Sequence, residues 1–331
     1  MDWQIVDEDR ELFERELETF VPSRLFDAHA HLFERRQFLA EQPALVKSGP
    51  DSVGLDAYQA FMNQMLPRRR ISGLFFPFPV AGLDTLGANE FLISQVHSDS
   101  NSRGLMIVQP GMDPEFIRET ARRKGIVGLK CYHCYSSEQP TFEAEIPSYL
   151  PEEQVRVAHE EGLTIMLHMV KRRGMADPSN QEVIRLWAKR YPDACLILAH
   201  AARGFNPHHT IQGIGALRGL RNIWCDTSAV TESGGFEAIV RTLGVDRLLY
   251  GSDFPVTCMR GRCVALGDSF FWLSPENADL HAAYTEIRPT LVGLESLRAL
   301  KLAALNLGLS DSQLEAIFFS NAAELFALKK H

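Results

Sequence analysis

The sequence predicts an α/β protein built as a (β/α)8 TIM barrel, with a helical extension before it and an insertion after its eighth strand. Two observations carry that expectation. Eight short runs rich in Leu, Ile, Val and Phe recur along the 331 residues, as buried parallel strands do. Between them lie amphipathic stretches opened by Pro, Asp, Asn or Gly and closed by Gly or Pro, which is helix punctuation. Alternation of this kind repeated eight times favours a closed barrel over an open doubly wound sheet. With 45% hydrophobic and 23% charged residues, the chain can bury the large core a barrel needs.

Residues 1–22 make the extension. Within it, 7–20 reads as an acidic helix crowded with Asp7, Glu8, Asp9, Glu11 and Glu14. It lacks the basic and apolar regions of a secretory signal, so the mature chain is expected to begin here. Residues 23–331 make the barrel domain, with strands at 23–31, 71–79, 104–111, 126–131, 163–170, 195–201, 222–228 and 247–255. Helices are expected at 114–124, 151–161, 181–190 and 236–243. Residues 257–287 fall outside the alternation and suit a lid or a subunit contact, which leaves room for a homo-oligomer.

Composition removes several function classes. The longest apolar stretch, 74–83, is too short to span a membrane and carries Pro77 and Pro79, so no membrane insertion is expected. Lys and Arg total 34 against 42 Asp and Glu, a net charge of -8 that argues against nucleic acid as a partner. Six scattered cysteines without secretory features read as reduced thiols in the cytoplasm.

The chemistry-bearing residues sit at the ends of the runs. In Asp27-Ala28-His29-Ala30-His31, strand alternation puts Asp27, His29 and His31 on one face and Phe26, Ala28 and Ala30 on the other. Two imidazoles then stand side by side. Imidazole is the usual nitrogen ligand of zinc and related ions, and a catalytic site needs two or three further donors. With Leu163, Ile165 and Leu167 facing the helices, His168 points into the barrel; the same phase is expected to bring in His200, and Asp253 closes the eighth run. Barrel enzymes assemble their sites at that C-terminal face, so four histidines and one aspartate should converge there. Asp27, one step deeper, would orient a ligand or fill the core as a buried polar group. Lys130 ends the fourth run with its amine directed into the same pocket. A bare ammonium beside a metal cation needs a reason, and gripping a substrate anion is one.

These positions together resemble the amidohydrolase superfamily of metal-dependent hydrolases, in the branch that also holds nonoxidative decarboxylases of carboxylated aromatics and muconates. The resemblance runs from Asp27-Ala-His-Ala-His31 through His168, His200 and Gly251-Ser-Asp253-Phe-Pro255 to Ser320-Asn-Ala-Ala-Glu-Leu-Phe-Ala327. It implies a (β/α)8 barrel holding one divalent metal ion, often zinc and sometimes manganese. His29, His31, His168 and Asp253 match its ligands, and His200 matches the histidine beside the metal. In two-metal relatives a lysine placed like Lys130 is carboxylated and bridges the ions, which is the alternative to substrate binding. The spacing from Lys130 to His133 departs from the Lys-x-His of many relatives, so His133 is given no role.

The loops after the strands carry charge opposite to the whole chain. Lys171, Arg172 and Arg173 follow the fifth run, Arg203 the sixth, and Arg260 and Arg262 the eighth. Such a rim draws anions, and guanidinium groups grip carboxylate in bidentate fashion, so the expected partner is a small anionic substrate. Phe33, Phe78, Tyr132, Tyr135 and Phe254 are candidate walls of the pocket. Cys131 and Cys134, with Cys258 and Cys263, could form a structural zinc site, but plain thiols are the simpler reading. His208 and His209 are expected at a helix start, and His97, His159 and His281 at the surface.

The expected reaction is hydrolysis of a lactone, amide or related bond in a carboxylated substrate by a metal-activated water. Asp253 would serve as ligand and base, and His200 would polarise the carbonyl. The runner-up is a lyase in which His200 or Asp253 protonates carbon as carbon dioxide leaves. A non-catalytic scaffold is a third reading, disfavoured by the intact ligand set.

Overall fold

A computed structural model describes residues 3–278 and 288–328. Nine strands form one sheet: β1 (Arg24–Glu34), β2 (Ser52–Val53), β3 (Arg70–Pro77), β4 (Arg103–Ile107), β5 (Ile126–Cys131), β6 (Thr164–Leu167), β7 (Cys195–Leu198), β8 (Ile223–Asp226) and β9 (Leu248–Leu249). Their spatial order is β2-β1-β3-β4-β5-β6-β7-β8-β9. Only β2 runs antiparallel, against the end of β1; every other neighbouring pair is parallel. The sheet curls until its ends meet. Ala28 N–H donates to Tyr250 O at 2.8 Å, His31 N–H to Phe254 O at 2.7 Å, and Asp253 N–H to His29 O at 2.7 Å. All eight expected runs carry a parallel strand in this TIM-barrel-like fold.

All four expected helices are present, as Pro114–Ala121, Glu152–Glu160, Pro178–Arg190 and Gly234–Leu243, the last two starting three and two residues earlier than expected. Asp113 caps Pro114–Ala121 and Asp177 caps Pro178–Arg190, each followed by a proline in the first turn where no backbone donor is missed. The acidic N-terminal segment is helical over Asp7–Leu12 and continues as a wider π turn through Phe13–Leu17. Within the insertion, β10 (Arg262–Leu266) and β11 (Ser269–Leu273) pair as an antiparallel hairpin. Residues 279–287 of that insertion, His281 among them, lie outside the described residues. No helix among the described residues is long and apolar enough to cross a membrane.

Two apolar clusters sandwich the sheet. The outer one packs Leu25, Phe75, Leu129, Ile165 and Leu196 against the helices. The inner one joins Phe26, Leu74, Phe76, Met166 and Ile197 with Phe319 and Phe326 from the C-terminal helical segments. The phase along β1 differs from strict alternation. Phe26 and Ala28 lie in the inner cluster while Ala30 lies in the outer one, because a bulge interrupts the pairing between Asp27 and Ala30. Asp27 therefore does not share a face with His29 and His31, contrary to the expectation from period two.

Asp27 instead fastens the seam. Its buried carboxylate accepts hydrogen bonds from Tyr58 Oη (2.8 Å), Ser252 N–H (2.8 Å), Ser252 Oγ (2.5 Å) and His29 N–H (3.1 Å). Burial raises this carboxyl to about 6. Tyr58→Phe removes one of these donors and is expected to destabilise the protein by about 1.5 to 3 kcal/mol, the range for a bond to a charged group. Urea unfolding with an unchanged midpoint would remove Asp27 from the account of how the sheet closes.

Candidate metal and substrate site

The bulge in β1 sends His29 and His31 to the same end of the barrel. There Gly251 makes the approach possible: a Cβ at that position would stand 3.0 Å from His29 Cβ. His29 Nδ1 lies 2.9 Å from Asp226 Oδ2, and His31 Nδ1 donates to Pro77 O at 3.1 Å. Their Nε2 atoms each lie 3.3 Å from Asp253 Oδ1. Asp253 follows β9 with a φ of 60°, a left-handed conformation that turns its side chain back toward β1.

His200 arrives by a different device. Leu196 and Leu198 belong to the outer cluster and Ile197 to the inner one, so simple alternation would send His200 outward. The strand stops at Leu198, and His200, Ala201, Ala202 and Arg203 take φ values of 58°, 52°, 59° and 60°. A left-handed turn of non-glycine residues costs roughly 1–2 kcal/mol per residue, and here it swings both His200 and Arg203 into the cavity. His200 Nδ1 lies 3.0 Å from Ser228 O and 2.9 Å from Ser228 Oγ. Ligand atoms of His29, His200 and Asp253 all fall within 4.8 Å of one another. His168, just past β6, lines the same cavity with its ring centroid 5.0 Å from that of His200 and its Nδ1 without a partner.

Burial keeps the imidazoles neutral: it lowers His31 to about 3 and His200 to about 4, and His29 and His168 well below the ordinary value. In neutral His29 and His31 the Nδ1 hydrogen is given to an acceptor, so each Nε2 presents a lone pair. Two lone pairs facing one carboxylate oxygen repel unless a cation lies among them. The donor set thus fits a divalent metal ion, and Asp226 and Pro77 O orient the ligands as partners of metal-bound histidines do.

The cavity has a volume of about 420 Å³, within the range of small-molecule sites. Lys130 enters it from the end of β5, buried, its Nζ without a hydrogen-bond partner and 4.6 Å from the Phe76 ring centroid. Burial lowers its ammonium pKa, while the nearby Asp226 and Asp253 charges oppose the shift. Arg203 is also buried; its Nη1 reaches Met169 O at 3.4 Å, its Nε is unpartnered, and its guanidinium lies 5.5 Å from the Phe270 ring centroid. Two unsatisfied cationic groups in one apolar-walled cavity invite an anion.

Other expected contributors lie elsewhere. Arg260 does not line the cavity: it pairs with Asp9 at 2.7 Å and donates to Gln4 O, clamping the N-terminal helix. Arg262 does not line it either, since its Nη2 donates to Thr231 O at 2.7 Å and its Nη1 stands 3.8 Å from Glu295. Lys171 is engaged by Glu145 and Ser179, and Arg172 and Arg173 flank Asp268. The rim cations are consumed by acids, leaving Arg203 and Lys130. Of the expected walls, Phe78 and Tyr132 line the cavity, whereas Phe33, Tyr135 and Phe254 pack into the core; Phe142, Phe205, Phe270 and Trp272 take their place. All six cysteines are unpaired thiols, and the His29, His200 and Asp253 group is the one candidate metal cluster among the described residues. Asp226 is a site residue that the sequence expectations did not include, although it is a polar residue near the end of an apolar run, as His168 and Asp253 are; it ends β8. Phe270 and Trp272 carried no signal, because nothing in an insertion says which way its hairpin folds.

A family model described as Amidohydrolase matches residues 26–328. No curated protein sequence matches the chain. Among solved structures, one similar protein is a probable 2-pyrone-4,6-dicarboxylic acid hydrolase from Acinetobacter baumannii with citric acid bound. The two share 15% identity over 92% of this chain and 99% of that one, with a TM-score of 0.58. An amidohydrolase from Burkholderia multivorans with bound zinc shares 14% identity over 92% and 99%, with a TM-score of 0.60. A 5-carboxyvanillate decarboxylase from Sphingomonas paucimobilis shares 13% over 93% and 100%, with a TM-score of 0.53. At these identities the likeness concerns the fold.

Proposed function

The chain belongs to the amidohydrolase family, and from that premise we propose that it is a metal-dependent hydrolase of a small carboxylated substrate. The observation that carries the reading is the meeting, in one cavity, of an acceptor cluster suited to a cation with two buried cationic side chains, Lys130 with its Nζ and Arg203 with its Nε lacking hydrogen-bond partners. His29, His31, His168 and Asp253 would hold one divalent ion, zinc before manganese, and the zinc in the Burkholderia relative supports that choice. Lys130 is read as an uncarboxylated ammonium; a second ion would require its carboxylation. Such an ion, when bound, polarises the bond under attack and makes water acidic enough to react at neutral pH.

The residues then divide the work. Asp253, raised by burial to about 6, is ionised at neutral pH and accepts the proton of the attacking water. His200 was expected to polarise the carbonyl, but its Nδ1 hydrogen goes to Ser228 O, so the neutral ring offers only an acceptor at Nε2. Through Nε2 it is then a second proton acceptor or a further metal donor, while its Nδ1–H stays on Ser228 and lies 3.9 Å from Asp253 Oδ2. Arg203 and Lys130 hold the carboxylate of the substrate, and the aromatic walls exclude water around it. The unpaired cysteines support a cytoplasmic setting.

Replacing Arg203 with Met is expected to weaken substrate binding by about 1.5 to 3 kcal/mol without changing metal content. Arg260→Met and Arg262→Met should leave affinity unchanged, since both guanidinium groups are occupied outside the cavity. Dissociation constants that rise equally in all three variants would return the anion to the rim.

The aromatic walls give one second reading some support, decarboxylation of a carboxylated ring, the reaction named for the Sphingomonas relative. Metal-loaded protein incubated with panels of carboxylated lactones and aromatic acids separates the two. Acid release without carbon dioxide is the expected result. Carbon dioxide without acid release would assign the lyase chemistry instead.

A further inference from the structure

Asp226 touches two histidines and the strained turn at once. It ends β8, is fully buried, and divides its oxygens between two tasks. Oδ2 lies 2.9 Å from His29 Nδ1. Oδ1 accepts the backbone N–H of His200 at 2.9 Å, the N–H of Ser228 at 3.1 Å and the Ser228 hydroxyl at 2.5 Å. Because the Ser228 hydroxyl hydrogen is spent on Asp226, its Oγ can only accept from His200 Nδ1, which also gives to Ser228 O.

We propose that Asp226 is a positioning residue that sets the tautomers of the site from both sides. Oδ2 holds His29 with its hydrogen on Nδ1, so that Nε2 faces Asp253 as a lone pair. Oδ1 anchors the first residue of the left-handed turn, and through Ser228 it fixes His200 in the same tautomer. A turn of four left-handed residues is held only where its surroundings over-determine it, and the Asp226 bond to the His200 N–H does so at the turn's first step. The inference rests on the reading of His29 as a metal ligand, and its test is chosen so that the two can fail separately.

Asp226→Asn isolates the tautomer. Three donors converge on the Oδ1 position, so the amide oxygen must stay there and the amide nitrogen must face His29 Nδ1. A donor now meets Nδ1. The ring is driven to carry its hydrogen on Nε2, where it can no longer ligate.

Nitrogen-15 NMR of metal-free protein labelled at histidine reads this directly, with no turnover needed. The wild type should show His29 with Nδ1–H and unprotonated Nε2, and Asp226→Asn should show the reverse. Ser228→Ala, which leaves Oδ2 in place, should keep the wild-type His29 tautomer. Zinc affinity measured by chelator competition should fall by about 10- to 100-fold in Asp226→Asn, the range for removing the partner of a metal-bound histidine. An Nε2–H tautomer at His29 in the wild type would overturn the inference whether or not any variant folds. An unchanged tautomer in Asp226→Asn would overturn it as well. A reversed tautomer with undiminished zinc affinity would support the role of Asp226 and remove His29 from the ligand set.

Discussion

Asp253→Asn is expected to lower turnover by about a hundredfold to ten-thousandfold, the range for losing a general base, while the protein stays folded and keeps much of its metal. The amide has the size of the carboxylate and retains one oxygen that can face the Nε2 atoms of His29 and His31, now 3.3 Å from Oδ1. It cannot accept the proton of water. Apparent substrate affinity should change far less than turnover if, as proposed, Arg203 and Lys130 rather than Asp253 hold the anion. Steady-state kinetics at saturating metal, with metal content measured on the same sample, check this. A variant with full metal and wild-type turnover would shift the proton-transfer assignment to His200, which lines the same cavity.

The His29→Ala, His31→Ala double variant is expected to bind metal at least roughly a hundredfold more weakly, since removing two direct ligands exceeds the loss of a partner behind one. Only His168, His200 and Asp253 would then face the cavity as donors. Two buried rings are lost as well, so circular dichroism must accompany the elemental analysis. Unchanged metal in the folded variant would remove the pair from the site. A wild type holding about two ions per chain would instead indicate a carboxylated Lys130 bridging them.

How far the sequence carried the argument depends on what kind of signal each residue left. Strands and their order were legible because apolar runs separated by capped helices leave an unambiguous alternation, and every expected run contains a strand. His29, His31, His168, His200, Asp253 and Lys130 were legible as polar residues ending apolar runs, and the structure brings all six to one cavity. Simple alternation holds along β6, where Leu163, Ile165 and Leu167 face the helices, and fails along β1 and past the end of β7. A bulge at Asp27–Ala30 and a left-handed turn at His200–Arg203 each reverse the face a side chain would otherwise take, and the residues that adopt these conformations are not glycines. Arg260 and Arg262 were misplaced for a related reason. Sequence shows a cation in a loop but not the acid or carbonyl that meets it; Asp9 lies 251 positions from Arg260. The aromatic half of the cavity, Phe270 and Trp272, comes from the hairpin, whose inward fold is set by contacts such as Asn206 to Ser269 O at 2.8 Å.

Metal content and turnover measured together on one preparation test the central claim most directly. As a chelator withdraws the ion from about one per chain toward none, acid release should fall in proportion and return when zinc is restored. Folded protein stripped of metal that still releases acid at the original rate would contradict the account.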